Sequence, residues 1–245
     1  TLNLQGIGGD GNYSYFLLPD NLNPLQLPMQ VQPNSTTTYD FMVSDGCTTP
    51  EAFASSTITV HLLPNVIFEG DSLDGCHVHT ANFIDLTSPT PVAWNWNFGD
   101  PSSGANTSTI ANPTHQFSAA GTYDLSLSVT TSDGCVSDTI FLSYVEVYPL
   151  PYANFSADPE RTNLLQSNIN FTDESVGNIV EWYWFFGDGN EATDQHVEHA
   201  YLDTGAFQAS LYVVTDHGCE DFIRRQIIID PDFMFYVPNT FTPNQ

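Results

Sequence analysis

Two stretches of sequence decide the fold: WNWNFGD at residues 94–100 returns as WYWFFGD at residues 182–188, 88 positions further along. Asp85, which precedes the first stretch, returns at the same spacing as Asp173. Beyond the FGD turn the spacing becomes 84 positions, and the returning residues are His115, Phe117, Gly121, Tyr123, Gly134 and Cys135, which recur as His199, Tyr201, Gly205, Phe207, Gly218 and Cys219. A repeat of this length indicates two copies of one structural unit, the second with a loop four residues shorter.

The sequence around these stretches alternates between apolar and polar residues. TYDLSLSVT at residues 122–130 and FQASLYVVT at residues 207–215 each carry apolar side chains at every second position. Alternation closed by DG, HG or proline-rich turns is typical of half-buried antiparallel strands, and no stretch keeps a helical apolar period for three turns. The predicted fold class is therefore all-β, as tandem β-sandwiches arranged like beads on a string.

Short proline-containing joints divide the chain into domains, because proline fixes φ and removes a backbone donor. The predicted units are an incomplete sandwich, two complete sandwiches, and a linker with the first strand of a further domain: residues 1–64, 65–149, 150–231 and 232–245.

The charge of the chain excludes several partners. Three Lys+Arg against 29 Asp+Glu give a net charge of −26, and all three basic residues are arginines. Such a chain repels a polyanion and has few cations to replace its counterions, so nucleic-acid binding is excluded, as is a polybasic membrane-surface mode. The sequence also offers no run of about 18 apolar residues for direct membrane insertion. An exported protein fits this composition, and the acid-rich surface of a halophile is the alternative.

The repeated motifs resemble those of PKD domains, the immunoglobulin-like sandwiches named after the polycystic kidney disease protein. The residues that carry the resemblance are Trp96, Phe98, Gly99, Asp100 and His115 in the first copy, and Trp184, Phe186, Gly187, Asp188 and His199 in the second. The resemblance implies that they are structural, and it covers residues 65–231. Residues 1–64 resemble the Ig-like repeats of large surface proteins of Bacteroidota.

The last residues carry a second resemblance. YVPNTFTPN at residues 236–244 resembles the opening of the gliding-motility-associated C-terminal domain, the sorting signal of the type IX secretion system; the matching residues are Tyr236, Val237, Pro238, Asn239, Phe241, Pro243 and Asn244. The resemblance implies attachment to the outer membrane, with the type IX machinery and an outer-membrane protein of the PorP/SprF type as partners. Phe233 and Phe235 are expected to lie in the first strand of that sorting domain or in a strand lent to a partner; the alternative is that they fold back on the last PKD sheet.

The four cysteines predict one disulfide within the middle domain, between Cys76 and Cys135, because both lie in one repeat and export permits the bond. The second copy has Leu164 in place of Cys76, so Cys219 is expected to be unpaired. Cys47 is expected to have its partner in a strand before Thr1.

Calcium is the metal hypothesis, because hard cations prefer oxygen ligands and several turns are rich in acidic residues. The candidate ligands are Asp71, Asp74, Asp133, Asp173 and Glu174. No cofactor other than calcium is expected. For sugars, Trp94 and Trp182 are the first candidates, on the expectation that they face away from the core.

No catalytic motif is present, so we expect no enzymatic activity and no catalytic residues. The function that these features favour is the stalk of a large cell-surface adhesin, which projects a distal binding element, bears load, and serves surface adhesion or gliding motility. Surface polysaccharide and other cells are the expected distal partners. The alternatives are an accessory region of a type IX-secreted polysaccharide or protein hydrolase, and a subunit of an extracellular filament that accepts a donor strand in the incomplete first domain.

Overall fold

A computed structural model describes residues 1–7, 11–19, 23–46 and 51–232 of the chain. Nearly all of its regular structure is β-strand, which confirms the predicted all-β fold class. Among the described residues, no helix has the length and apolarity needed to span a bilayer. The predicted opening strand of the sorting domain, with Phe233, Phe235 and the matching residues from Tyr236 to Asn244, lies outside the described residues, as does Cys47.

The N-terminal segment contains one antiparallel sheet of three strands. The strands are β1 (Ser14–Leu17), β2 (Thr37–Ser44) and β3 (Ala52–Ile58), in the order β1-β2-β3. Phe41 and Met42 in β2 are its buried apolar side chains.

The first repeat (residues 65–149) contains two sheets. Its strands are β4 (Phe68–Gly70), β5 (Asp74–Cys76), β6 (Thr80–Asp85), β7 (Ala93–Asn97), β8 (Thr107–Ser108), β9 (Thr114–Gln116), β10 (Gly121–Thr130) and β11 (Val136–Tyr148). The sheet orders are β4-β6-β9 and β5-β11-β10-β7-β8. Strands β5 and β11 pair in parallel, with Cys76 opposite Tyr148.

The second repeat (residues 150–231) has the same topology. Its strands are β12 (Phe155–Asp158), β13 (Arg161–Asn163), β14 (Asn168–Asp173), β15 (Ile179–Phe185), β16 (Glu191–Ala192), β17 (His196–Ala200), β18 (Gly205–Thr215) and β19 (Glu220–Asp230), and a 3-10 turn spans Leu164–Gln166. The sheet orders are β12-β14-β17 and β13-β19-β18-β15-β16. The 3-10 turn follows β13 in the region where the first repeat has Cys76.

Each repeat has a core centred on a tryptophan. Trp96 and Trp184 are fully buried, and their indole N–H groups donate to the backbone oxygens of Ile110 and Asp194, both at 2.9 Å. Buried aromatic rings surround each indole, as expected where a tryptophan packs between the two sheets of an Ig-like domain.

By the density of its contacts, the chain divides into two compact units. One comprises Thr1–Ile67, Thr87–Ala93 and Ser128–Asp138, and it contains the N-terminal sheet. The other comprises Phe68–Leu86, Trp94–Leu127 and Thr139–Gln245, and it contains both buried tryptophans.

Candidate functional site

The predicted disulfide is wrong. Cys76 bonds to Cys219 of the second repeat, across a sequence separation of 143 residues, and Cys135 has a free thiol. The bond therefore joins the two repeats instead of closing a loop within one.

The strand connections explain the correction. Cys135 immediately precedes β11, whereas Cys76 lies opposite Tyr148, the last residue of that strand. A strand of 13 residues extends about 40 Å at about 3.3 Å per residue. The two cysteines of the first repeat thus lie at opposite ends of β11, far beyond the 4.4 to 6.8 Å typical of bonded Cα atoms.

Cys76 is held at the end of the first repeat by backbone pairing. Strand β5 runs parallel to β11, and the N–H of His77 donates to the carbonyl oxygen of Tyr148 at 2.9 Å. Both strands therefore end next to the linker that leads into the second repeat.

Cys219 is presented by a tight turn between β18 and β19. The N–H of Thr215 donates to the Cys219 carbonyl at 2.9 Å, and the N–H of Gly218 donates to the Thr215 carbonyl at 2.9 Å. Gly218 has φ 75°, a conformation that glycine adopts without strain. Cys219 is only 1% exposed.

A stacked pair of rings accompanies the disulfide. Tyr148 and His217 are 3.7 Å apart between centroids, with an interplanar angle of 4°. Beside them is a groove of about 400 Å³, lined in part by the linker residues Pro149, Leu150 and Pro151. The covalent bond and the stacked rings together fix the junction of the two repeats, which is the candidate functional site.

The repeated FGD motif is a structural unit. In the first repeat, the buried Asp100 accepts from the N–H of Ser118 at 2.8 Å and also binds its hydroxyl, and His115 Nε2 lies 3.2 Å from Asp100 Oδ2. His115 stacks on Phe98 with centroids 4.3 Å apart. Burial alone raises the pKa of the Asp100 carboxyl, but the hydrogen bonds from Ser118 and His115 outweigh it, and the pKa is lowered.

The second repeat contains the same arrangement. His199 Nε2 lies 2.7 Å from Asp188 Oδ2, and the imidazole stacks on Phe186 at 4.0 Å. Burial raises the pKa of Asp188, but hydrogen bonds from Asn190 and His199 lower it overall. Both Asp–His pairs are therefore engaged within their own domains.

The glycine of the motif permits a close approach of two strands. Gly99 and Gly187 have φ of 69° and 83°. A Cβ atom at Gly187 would come within 2.8 Å of the Gln208 backbone, and one at Gly99 would collide with the Asp124 carbonyl.

The candidate calcium ligands lie in separate places. Asp71 accepts from both the N–H and the side-chain amide of Asn82, and Asp133 pairs with His61 at 2.9 Å. Asp173 accepts from Trp182 and Gln195, Glu174 accepts from the side-chain amide of Asn154, and Asp74 is exposed in β5. In the described part of the chain, no three His, Cys, Asp or Glu side chains form a group that could hold a metal ion.

The expectation that Trp94 and Trp182 face away from the core is wrong. Residues two apart on a strand share a face, so these side chains lie on the same side as Trp96 and Trp184. They are half-buried, and their indole N–H groups donate to Asp85 at 2.7 Å and Asp173 at 2.8 Å. The outward aromatic side chains of β15 are Tyr183 and Phe185. The sequence analysis missed them, although the alternation of side chains along a strand identifies them.

The fold and the cross-linked junction define a tandem β-sandwich protein. The family model described as PKD domain matches residues 67–144 and 146–228, which is well over half of the chain. The chain therefore belongs to the PKD domain family. Because disulfides persist in oxidising environments, a disulfide-linked pair of PKD domains is that of an extracellular protein.

Individual proteins are similar to parts of the chain. The pre-pro-metalloprotease PrtV of Vibrio cholerae serotype O1 (strain M66-2) is 30% identical over 80 residues, covering 33% of this chain and 8% of the relative. The crystal structure of the PKD1 domain of that Vibrio cholerae protease is 27% identical and covers 33% of this chain and 98% of that one, with a TM-score of 0.30. A structure of titin domains I67–I69 is 12% identical and covers 93% of this chain and 84% of that one, with a TM-score of 0.49.

Proposed function

We propose that this chain is a load-bearing stalk segment of a large secreted cell-surface adhesin, in which it projects a distal binding element. The observation that carries the proposal is the Cys76–Cys219 disulfide between consecutive PKD domains. A flexible linker would allow the two domains to separate under tension, whereas a covalent bond beside the linker holds them together.

The position of the bond determines the path of a pulling force. Tension that enters from the N-terminal side reaches Cys76, crosses to Cys219 and leaves through β19, so residues 77–218 carry no end-to-end load while the bond is intact. Strand β19 is held by ten paired residues of β18 and by a parallel pairing with β13. Tension between Cys219 and the end of β19 therefore runs along the covalent backbone of this strand, while the pairing with β18 and β13 keeps the strand in place.

The attachment to the cell is proposed from the C-terminal sequence. The match of residues 236–244 to the sorting signal supports export by a type IX system of a Bacteroidota cell, with a PorP/SprF-type protein holding the sorting domain at the outer membrane. Adhesion or gliding on surfaces is the role that places a stalk under tension. The proposed role is mechanical, and we assign no catalytic residue or cofactor to this chain.

A second candidate function has one specific observation in its favour. The similarity to the metalloprotease PrtV supports an accessory region of a secreted hydrolase, in which the PKD domains space a catalytic domain from its surroundings.

The test is attachment under flow of cells that export the full-length protein with Cys76 and Cys219 both replaced by serine. The expected result is an unchanged amount of protein on the surface, unchanged attachment without flow, and earlier detachment as shear increases. Cys135→Ser is the matched control and should detach like the wild type. Equal detachment of all three would contradict a load-bearing role, and loss of hydrolysis of a protein or polysaccharide substrate would favour the accessory function.

A further inference from the structure

The outward face of the second repeat carries an aromatic row that crosses three strands. In the register of β15, β18 and β19, Tyr183 lies beside Tyr212, and Tyr212 lies beside Phe222. The rows on either side of it are Glu181, Val214 and Glu220, and then Phe185, Ser210 and Arg224. These nine residues are called the aromatic face below.

Three of the four rings of this face are exposed to solvent, and Tyr212 between them is half-buried. Phe222 is 56% exposed, Phe185 42% and Tyr183 38%, which is unusual for neighbouring aromatic side chains in a water-facing sheet. Tyr183 and Tyr212 meet edge to face with centroids 6.2 Å apart. A groove of about 460 Å³ runs over the rings between Glu181 and Glu220, and a second groove of about 240 Å³ continues over Phe185 and Arg224.

The fold does not require aromatic residues at these positions. At the repeat spacing, the residues of the first repeat that correspond to the aromatic row are Asn95, Ser128 and Asp138. The same topology is thus built with three polar residues at these positions, beside the exposed Val136 and Ile140 of β11. The aromatic row is therefore specific to the second repeat.

The groups beside the aromatic row include both acceptors and donors. The Tyr183 hydroxyl donates to Glu181 Oε2 at 2.6 Å, which raises the pKa of Tyr183. Glu220 likewise accepts from the Tyr212 hydroxyl and raises its pKa. On the other side, the Arg224 guanidinium lies 5.3 Å from the centroid of Phe222 and presents N–H donors.

We infer that the aromatic face binds a neutral polysaccharide. A pyranose ring has an apolar C–H surface that stacks on an aromatic side chain, and hydroxyl groups at its rim that both donate and accept hydrogen bonds. The aromatic row supplies the stacking surface, the second oxygens of the two carboxylates supply acceptors, and Arg224 supplies donors.

Negative charge opposes two other occupants of such a face. An anionic polysaccharide is repelled by Glu181, Glu220 and the net charge of −26. A second copy of the chain brings the same two carboxylates and the same net charge.

The experiment is affinity electrophoresis of the full 245-residue chain through gels that contain galactomannan, xyloglucan or laminarin, with alginate as the anionic polysaccharide. We expect retardation by at least one of the three neutral polysaccharides and none by alginate. The test variant is Tyr183→Asn with Tyr212→Ser and Phe222→Asp, because each new residue is the one that the first repeat carries there and that this fold accepts. Loss of three stacking rings is expected to weaken binding by at least about tenfold.

The matched control is Ser128→Ala in the first repeat, which should leave the retardation unchanged. Thermal melting of each variant checks that the fold is retained. The inference is overturned if no neutral polysaccharide retards the chain, or if the triple variant is retarded as strongly as the wild type. It is equally overturned if sedimentation shows a dimer that the triple variant abolishes, since the occupant is then a second copy. None of these results bears on the load-bearing role of the junction.

Discussion

Pulling the chain by its two ends, with and without a reductant, measures the length of the loop that the Cys76–Cys219 bond closes. The bond holds two Cα atoms 5.6 Å apart that are separated by 143 residues of sequence. At about 3.6 Å per extended residue, reduction adds about 500 Å to the length of the fully unfolded chain. In single-molecule force spectroscopy without reductant, we expect extension to stop about 500 Å short of the length reached with reductant. The unfolding of residues 77–218 contributes no extension until the bond is broken.

Two variants separate this effect from other consequences of reduction. Cys76→Ser should reach the longer length without any reductant, whereas Cys135→Ser should keep the shorter length of the wild type because its thiol is free. Equal maximal lengths for the wild type and Cys76→Ser would refute the reasoning, since tension would then pass through the domains themselves. A gain in length for Cys135→Ser would instead show that Cys135 closes the loop.

Three further predictions concern stability. Because hydrogen bonds from Ser118 and His115 hold the pKa of Asp100 below its usual value of 3.8 in the folded protein, the contribution of Asp100 to stability is present above that pH and is lost as the pH falls through the folded-state pKa. Urea unfolding should therefore show a steeper loss below pH 4 for the wild type than for Asp100→Asn, which should already cost about 2 kcal/mol at pH 7; parallel curves would argue against this role of the Asp–His pair. Trp184→Ala should lower the free energy of unfolding by about 3 to 5 kcal/mol as a core truncation, and Trp182→Phe by about 1.5 kcal/mol through the lost bond to Asp173, both measured from denaturant midpoints. A loss for Trp182→Phe as large as that for Trp184→Ala would contradict the half-buried position of Trp182. Millimolar calcium should raise the thermal midpoint no more than matched magnesium does, and a rise specific to calcium would reveal a site that the candidate carboxylates do not form in this structure.

The sequence predicted the parts of the fold that depend on local pattern. Alternation along residues 122–130 and 207–215 placed strands β10 and β18, and the two FGD stretches placed the equivalent buried tryptophans. These predictions succeeded because the alternation of side chains along a strand and a repeated motif can both be recognised from a few neighbouring residues.

The disulfide could not be predicted from pattern alone. The position of the bond depends on the parallel pairing of β5 with the end of β11. Because β5 has only three residues, Asp74–Cys76, it is too short to show the alternation of apolar and polar side chains that predicts a strand. Cys135 was predicted as the partner of Cys76 because both lie in one repeat. The bond cannot form, because the two residues lie at opposite ends of β11. The calcium hypothesis stays a prediction; in the folded chain, Asp71 and Asp173 accept hydrogen bonds from amide and indole donors that the sequence pattern does not reveal.

A disulfide map of the protein under non-reducing conditions tests the covalent junction between the two repeats most directly. The chain has only three arginines and no lysine, so digestion after glutamate and aspartate is suited to mass spectrometry of the linked peptides. We expect one peptide pair that joins Cys76 to Cys219 and a Cys135 thiol that reacts with an alkylating agent before reduction. A peptide pair that joins Cys76 to Cys135, with Cys219 free to be alkylated, would contradict this junction.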